Sequence, residues 1–408
     1  MKRISCLVLL VALATSVACP LAHAEGGPVA QTNGDPTTLN TRLDEPGTLD
    51  PALVEDAGAW MVAEQLFLGL VDLDDVTGAV LPELATSWTV SPDGTAYTFT
   101  LRSDAKWSDG SPITAHDARF ALLRALDPAT GSAYATVLYP IRNGEGYHNG
   151  TISDPTQVGV ASPSDTQLRI TLEQPTAHFS SILSLPVARP VPQAVVSSWG
   201  PDWSHPDHIV SSGPYKLTGW VHDDHVFLEK NPYYYSAAGV EIDQVKLWIV
   251  DQDTGWTMYR NGHLETTEVP WTVNPDDLGL LAQEVHTRPT ACTYYYGFNT
   301  AKAPFHNCLV RKALAAAIDR QGLVTAVFGG YQQPALTFTP PGIFGHVDGL
   351  AEGVGIPYDP MQARAWLQQA GYPNGQGLPA ITLWFNTNPI HQSVAEYVQR
   401  RVGATTWA

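Results

Sequence analysis

The chain has 408 residues, with 44% hydrophobic and 15% charged side chains. That is enough for two or three domains with sizeable cores, and it excludes a disordered tail. The formal net charge of −18 argues against nucleic acid or an anionic membrane surface as partner. No apolar run after the N-terminus reaches the ~18 residues that a membrane span needs.

Taken in order, the chain begins with a secretory leader. Lys2 and Arg3 precede an apolar stretch from Leu7 to Ala14, and Ala22-His23-Ala24 is a small-x-small cleavage site. Cleavage after Ala24 removes two cations and no acids, taking the net charge from −18 to −20. Cys19 offers lipid attachment as an alternative, but Ser16 and the Pro20 after the cysteine fit such a site poorly. Leu39 to Ala52 reads as a short strand entering a Pro/Gly-punctuated loop, followed by a helix carrying Trp60, Ala63, Leu66 and Phe67.

From Ala85 to Pro128 the pattern is strand, turn, capped helix. Tyr97, Phe99 and Leu101 alternate with Thr98, Thr100 and Arg102 after the Pro92-Asp93-Gly94 turn. Thr114 stands as an N-cap three residues before Asp117, and Phe120, Leu123 and Leu126 give the helical stripe. Residues 166–172 form another alternating strand. Pro186 to Pro192 holds three prolines and suits a crossing between domains. Two strands around His222-Asp223-Asp224 lie within 211–232, and Ile242 to Val250 is a further strand. Cys292 to Asn299 reads as an aromatic strand, Arg311 to Phe328 as one helix, and Gln362 to Ala370 as a helix ended by Gly371. Ile381 to Asn386 predicts a strand and Ser393 to Arg401 the start of a helix, after which an α/β unit should lead to another strand.

No nucleophile elbow, zinc-protease motif, CxxC pair or phosphate-cradling loop occurs. His222 and His225 could ligate a metal, but a polar turn is the favoured reading of HDDH. Asn149-Gly150-Thr151 fits a glycosylation sequon, a pattern frequent by chance. The runs Tyr233-Tyr234-Tyr235 and Tyr294-Tyr295-Tyr296 suit either core or cleft. With Cys6 and Cys19 in the leader, Cys292 and Cys308 remain, and an exported compartment permits a bridge between them. The residues by themselves favour a secreted binding protein over an enzyme.

The wording of the chain adds more. ATSWTVSPDGTAYTFTLRSDAKWSDGSPITAHDARFALLRALDP (85–128), TLDP (48–51), LGLVDL (68–73) and SGPYKLTGWV…VFLEKNPYYY (212–235) stand in order with CTYYYGFNTAKAPF (292–305), VRKALAAAIDR (310–320), PALTFTPPG (334–342) and YDPMQARAWLQQAGYPNG…LWFNTNPIHQSVAEYVQ (358–399). From Leu39 to Arg401 the chain resembles the extracytoplasmic peptide-binding proteins of ABC importers, solute-binding protein family 5, and most closely their oligopeptide and murein-peptide branch.

That resemblance implies an α/β, two-lobed periplasmic-binding-protein fold (type II, with an extra domain) and mixed sheets. Domain I would be 25–67 with 187–291, domain II 68–186, and domain III 292–408. It implies no enzyme activity, no cofactor and no metal. It implies a monomer that takes short peptides between closing lobes and delivers them to a membrane permease. Glu55 and Ala57 would face the peptide backbone, Ala57 through its main chain, while Tyr134, Tyr295 and His391 match pocket positions. The bland alternatives are a solvated acid at Glu55, core tyrosines at 134 and 295, and a helix cap at His391. Gly297 stands where oligopeptide binders commonly place an acid. The family's aspartate for the peptide ammonium, and the usual bridging partner of Cys292, would lie beyond residue 408, which implies a chain cut short. Other readings are a non-binding remnant, a relative for haem or a nickel chelate, and, least favoured, a secreted hydrolase.

Overall fold

The computed structural model describes residues 36–407 except 75, 271–272, 274–277, 288–289, 291, 344 and 387. The leader, its cleavage site and Cys19 lie outside the described residues. The chain forms two compact units that divide between Glu268 and Val269.

The larger unit begins with β1 (Thr38–Leu43) and, after a loop, α1 (Ala57–Leu66). Strands β2 (Val71–Leu73) and β3 (Val80–Pro82) form a ribbon, and β4 (Ala85–Val90) and β5 (Ala96–Leu101) a hairpin. Then come α2 (Ala115–Leu126), β6 (Val160–Ser164), β7 (Gln167–Thr171), β8 (Tyr215–Val221), β9 (His225–Lys230), β10 (Gln244–Ile249) and α3 (Gln252–Arg260). Two four-stranded sheets result, ordered β1-β10-β9-β8 and β4-β5-β7-β6. Only the β1–β10 pair in them is parallel, so about 200 residues separate partners that lie side by side, Leu43 opposite Ile249.

The alternation read in residues 97–101 is realised. Tyr97, Phe99 and Leu101 are buried and Thr100 is exposed. At the start of α2 the Asp117 carboxylate accepts the Thr114 N–H and hydroxyl, both at 2.9 Å. Of the expected stripe Leu123 and Leu126 are buried and Phe120 is half-buried, and the buried face also takes in Ala115, Ala118, Ala121, Leu122 and Ala125. Pro186 to Pro192 is buried throughout and runs through the core rather than over a surface. There the Arg189 guanidinium donates to the Phe67 carbonyl oxygen. One continuous hydrophobic cluster, from Leu43 to Leu247, joins the two sheets and their helices.

The smaller unit is helical among its described residues: α4 (Cys308–Ala316), α5 (Arg320–Phe328), α6 (Pro360–Gln369) and α7 (Pro389–Trp407). The single helix expected over 311–328 is two. Asp319 accepts the Gly322 N–H at 2.9 Å and so N-caps α5, interrupting a pattern whose apolar periodicity is continuous. Asp359 caps α6 in the same way through Gln362, with Pro360 at the first helical position. Gly371 follows at φ 91°, the left-handed stop that its position predicts. Helix α7 starts at Pro389, four residues before the expected start at Ser393, and continues past Arg401.

The strands expected at 292–299 and 381–386 are not formed as strands. Alternation makes a strand only when a neighbour supplies the hydrogen-bond ladder, and the described residues of this unit provide none. Cys292 and Cys308 are both free and exposed, so the permitted bridge between them is absent.

Candidate functional site

In the larger unit the expected residue Glu55 ends the loop between β1 and α1, and Ala57 is the first residue of α1. Both are exposed, and Asp56 between them fixes their placement. Its carboxylate accepts the Ala59 N–H at 2.7 Å, capping α1, and the Gly47 N–H at 3.0 Å, closing the loop. Gly58 lies against the end of β1, where a Cβ would stand 2.3 Å from the Asp44 carbonyl oxygen. The small Ala57 side chain leaves the main chain at the head of α1 approachable, where unpaired N–H groups are the general rule.

The same loop walls an open cleft of about 240 Å³ at the carboxyl ends of β1 and β10. Leu43, Asp44, Glu45, Ile249, Val250 and Asp251 line it, and in α/β sheets this edge is the common ligand position. Arg42 is buried beneath, donating to the Val250 carbonyl at 2.9 Å, to Glu268 at 2.5 Å and to Asp44. Glu45 accepts from the Trp220 indole (2.9 Å) and the Asp223 N–H (3.0 Å) and bonds the His222 ring (2.9 Å). Desolvation pushes its pKa up, but the bonds from Asp223, His222 and Trp220 outweigh it and hold the carboxyl below the usual glutamate value. The Thr254 N–H does the same for Asp251, the N-cap of α3.

This geometry assigns HDDH. His222 serves Glu45, while His225 bonds Asp224 at 3.0 Å and packs on Trp248. No metal-holding group of three or more His, Cys, Asp or Glu occurs among the described residues.

Tyr134 is half-buried, packs on the main core and precedes the short turn Ala135–Leu138. Its neighbour Ser132 is buried with its hydroxyl unpartnered. The Tyr233 to Tyr235 run is bound to the unit's own cations. The Arg102 guanidinium sits 3.4 Å from the centroid of Tyr235, and Lys106 lies 5.9 Å from that of Tyr233.

In the smaller unit the second tyrosine run splits. Tyr295 is 63% exposed and meets Phe338 edge-on at 5.1 Å. Tyr294 instead faces His391, ring centroids 5.1 Å apart, and packs edge-on against Tyr296. Burial, and then the bond from Tyr294, push the Tyr296 phenol well above the usual tyrosine range. His391 lies in the first turn of α7 and bonds the Asn386 side chain; Asn388, accepting the Ile390 N–H at 2.9 Å, does the capping. The aromatic partner of His391 is therefore Tyr294, which sequence reasoning passed over because three successive tyrosines look alike in an unpaired segment.

Comparison with known proteins now bears on these groups. The family described as "Bacterial extracellular solute-binding proteins, family 5 Middle" matches residues 79–404. The chain is 35% identical over 381 residues to the dipeptide-binding protein DppE of Bacillus subtilis, covering 91% of this chain and 69% of that one. It is 34% identical over 397 residues to the periplasmic oligopeptide-binding protein OppA of Escherichia coli, covering 94% and 70%. Among solved structures, the E. coli murein tripeptide-binding protein MppA superposes with TM-score 0.81 at 31% identity, over 91% of this chain and 74% of that one. Haemophilus influenzae OppA in complex with RPPGFSPFR gives TM-score 0.77 at 31% identity, with the same coverages. The fold is thus that of the oligopeptide-binding periplasmic proteins, and the chain belongs to the bacterial extracellular solute-binding proteins, family 5.

Proposed function

We propose that this chain is an exported binding protein that captures short peptides and delivers them to the membrane permease of an ABC importer. The observation that carries this reading is its likeness to H. influenzae OppA, a relative whose structure holds the nonapeptide RPPGFSPFR. The exposed Glu55 and Ala57, at the junction of loop and α1 pinned by Asp56, fit recognition of a peptide main chain, in which backbone bonds supply affinity and side-chain pockets stay permissive. In this reading the larger unit offers Glu55, Ala57 and Tyr134, and the smaller offers Tyr295 and His391. The chain acts as a monomer, without catalysis, after its leader is cleaved behind Ala24. Its domain I comprises 25–67 and 187–291, domain II 68–186 and domain III 292–408.

Isothermal titration of the mature chain with RPPGFSPFR and with mixed tri- to pentapeptides tests this reading. Saturable heat with unaltered peptide recovered afterwards is expected. Heat with haem or a nickel chelate and none with peptides would overturn the ligand class, and cleavage of the peptides would overturn the non-enzymatic reading.

A further inference from the structure

Asp50, the acid of TLDP, is 3% exposed, yet four donors converge on its carboxylate. Arg124 of α2 grips it with both terminal guanidinium nitrogens, Nη1 at 2.9 Å and Nη2 at 2.5 Å. The Trp203 indole N–H donates to it at 3.0 Å, and the Ala52 N–H at 3.0 Å. Trp203 is fully buried and packs on Phe67, the residue that ends α1. Arg124 also lies 5.9 Å from the Trp203 ring centroid. A buried carboxylate is tolerated when its lone pairs are filled in this way, and a planar fork fixes direction as well as charge.

We infer that Asp50 is a positioning residue for the ligand-facing loops of the larger unit, an inference that rests on the peptide-binding reading. On one side, its bond to Ala52 shapes the turn that leads through buried Val54 to Glu55 and Ala57. On the other, Arg124 stands in the last turn of α2, which opens into the loop carrying Ser132 and Tyr134. Asp127 in that loop is held by the Tyr147 hydroxyl at 3.3 Å. Glu55 and Tyr134 come from segments far apart in sequence, and the Asp50–Arg124 fork ties the two segments together directly. A rigid tie of this kind lowers the ordering that binding must supply.

The test uses the mature chain with Asp50→Asn, which keeps size and loses charge, and Arg124→Lys, which keeps charge and loses the fork. Three quantities are read: unfolding by calorimetry, affinity for RPPGFSPFR by titration, and amide hydrogen exchange over 52–57 and 128–135 without ligand. Both variants are expected to melt cooperatively, to exchange faster in both stretches together, and to bind the nonapeptide about tenfold more weakly. A lowered melting temperature with unchanged affinity would make Asp50 a purely structural residue and overturn the inference. So would faster exchange in one stretch alone. A wild-type chain that takes no peptide would overturn the peptide reading and the affinity effect with it, whereas the joint rise in exchange would still support the tie between the loops.

Discussion

Replacing Gly58 with alanine puts a methyl group where the structure has none to spare. An ideal Cβ there stands 2.3 Å from the Asp44 carbonyl oxygen and 3.3 Å from its carbon, against an ordinary C···O approach of about 3.3–3.6 Å. The obstacle is backbone at the end of β1, held by the Leu43–Ile249 pairing, so it cannot swing aside as a side chain would. The head of α1 must retreat by about 1 Å, and overpacking of this kind costs about 1–3 kcal/mol, here at the upper end. Alanine returns up to about 1 kcal/mol of helix propensity. A net loss of about 2 kcal/mol remains, or about 4–8 °C in the melting temperature of a unit of this size. Calorimetry of the Gly58→Ala chain measures it directly. Because the retreat displaces Ala57, affinity for RPPGFSPFR should fall as well. A melting temperature equal to or above that of the wild type would refute the reasoning, since it would mean that α1 is not pinned against β1.

Other outcomes follow from the same contacts. Tyr235→Leu removes the ring beneath Arg102 and should cost about 1–2 kcal/mol in denaturant unfolding while leaving peptide affinity unchanged, because that tyrosine run packs on the unit's own cations. Glu45 has a folded pKa below its ordinary value, so its bonds stabilise fully above the unfolded value of about 4.3 and are lost as pH falls through the lower folded one. Glu45→Gln should therefore lower stability at neutral pH and flatten the acid limb, since the variant has no carboxylate bonds left to lose on acidification. Tyr215 is pushed up to about 12, first by burial and then by Asp243, so its contribution is complete below pH ~10 and disappears as pH rises through 12. Absorbance titration of Tyr215→Phe should lack that late-ionising phenol. Cys292→Ser and Cys308→Ser should each remove one rapidly labelled thiol from the native chain, since both are free and exposed.

Local chemistry was legible wherever an element carries its own signal. The Tyr97–Phe99–Leu101 alternation, the Thr114–Asp117 cap and the Gly371 stop appear in the structure where the residues place them. The family was legible too, because its ordered segments span the chain and the match over 79–404 agrees. Of the candidate site, Glu55, Ala57 and Tyr295 are exposed, and Tyr134 and His391 are half-buried. What each one touches was not legible.

Alternation and capping residues by themselves determined the local strands, turns and caps, because these signals act over a few residues and need no distant partner, while the family was legible only through the resemblance of its ordered segments. The parallel pairing of β1 with β10 was decided by tertiary structure. So were the service of His222 to Glu45, the choice of Tyr294 over Tyr295 to face His391, and the convergence of Arg124 and Trp203 on Asp50. Contacts between groups 70 to 200 residues apart leave no periodicity in the chain. Strand formation shows the same limit from the other side: residues 381–386 have the pattern of a strand but form none with the described residues, since a ladder belongs to the pair and not to the segment.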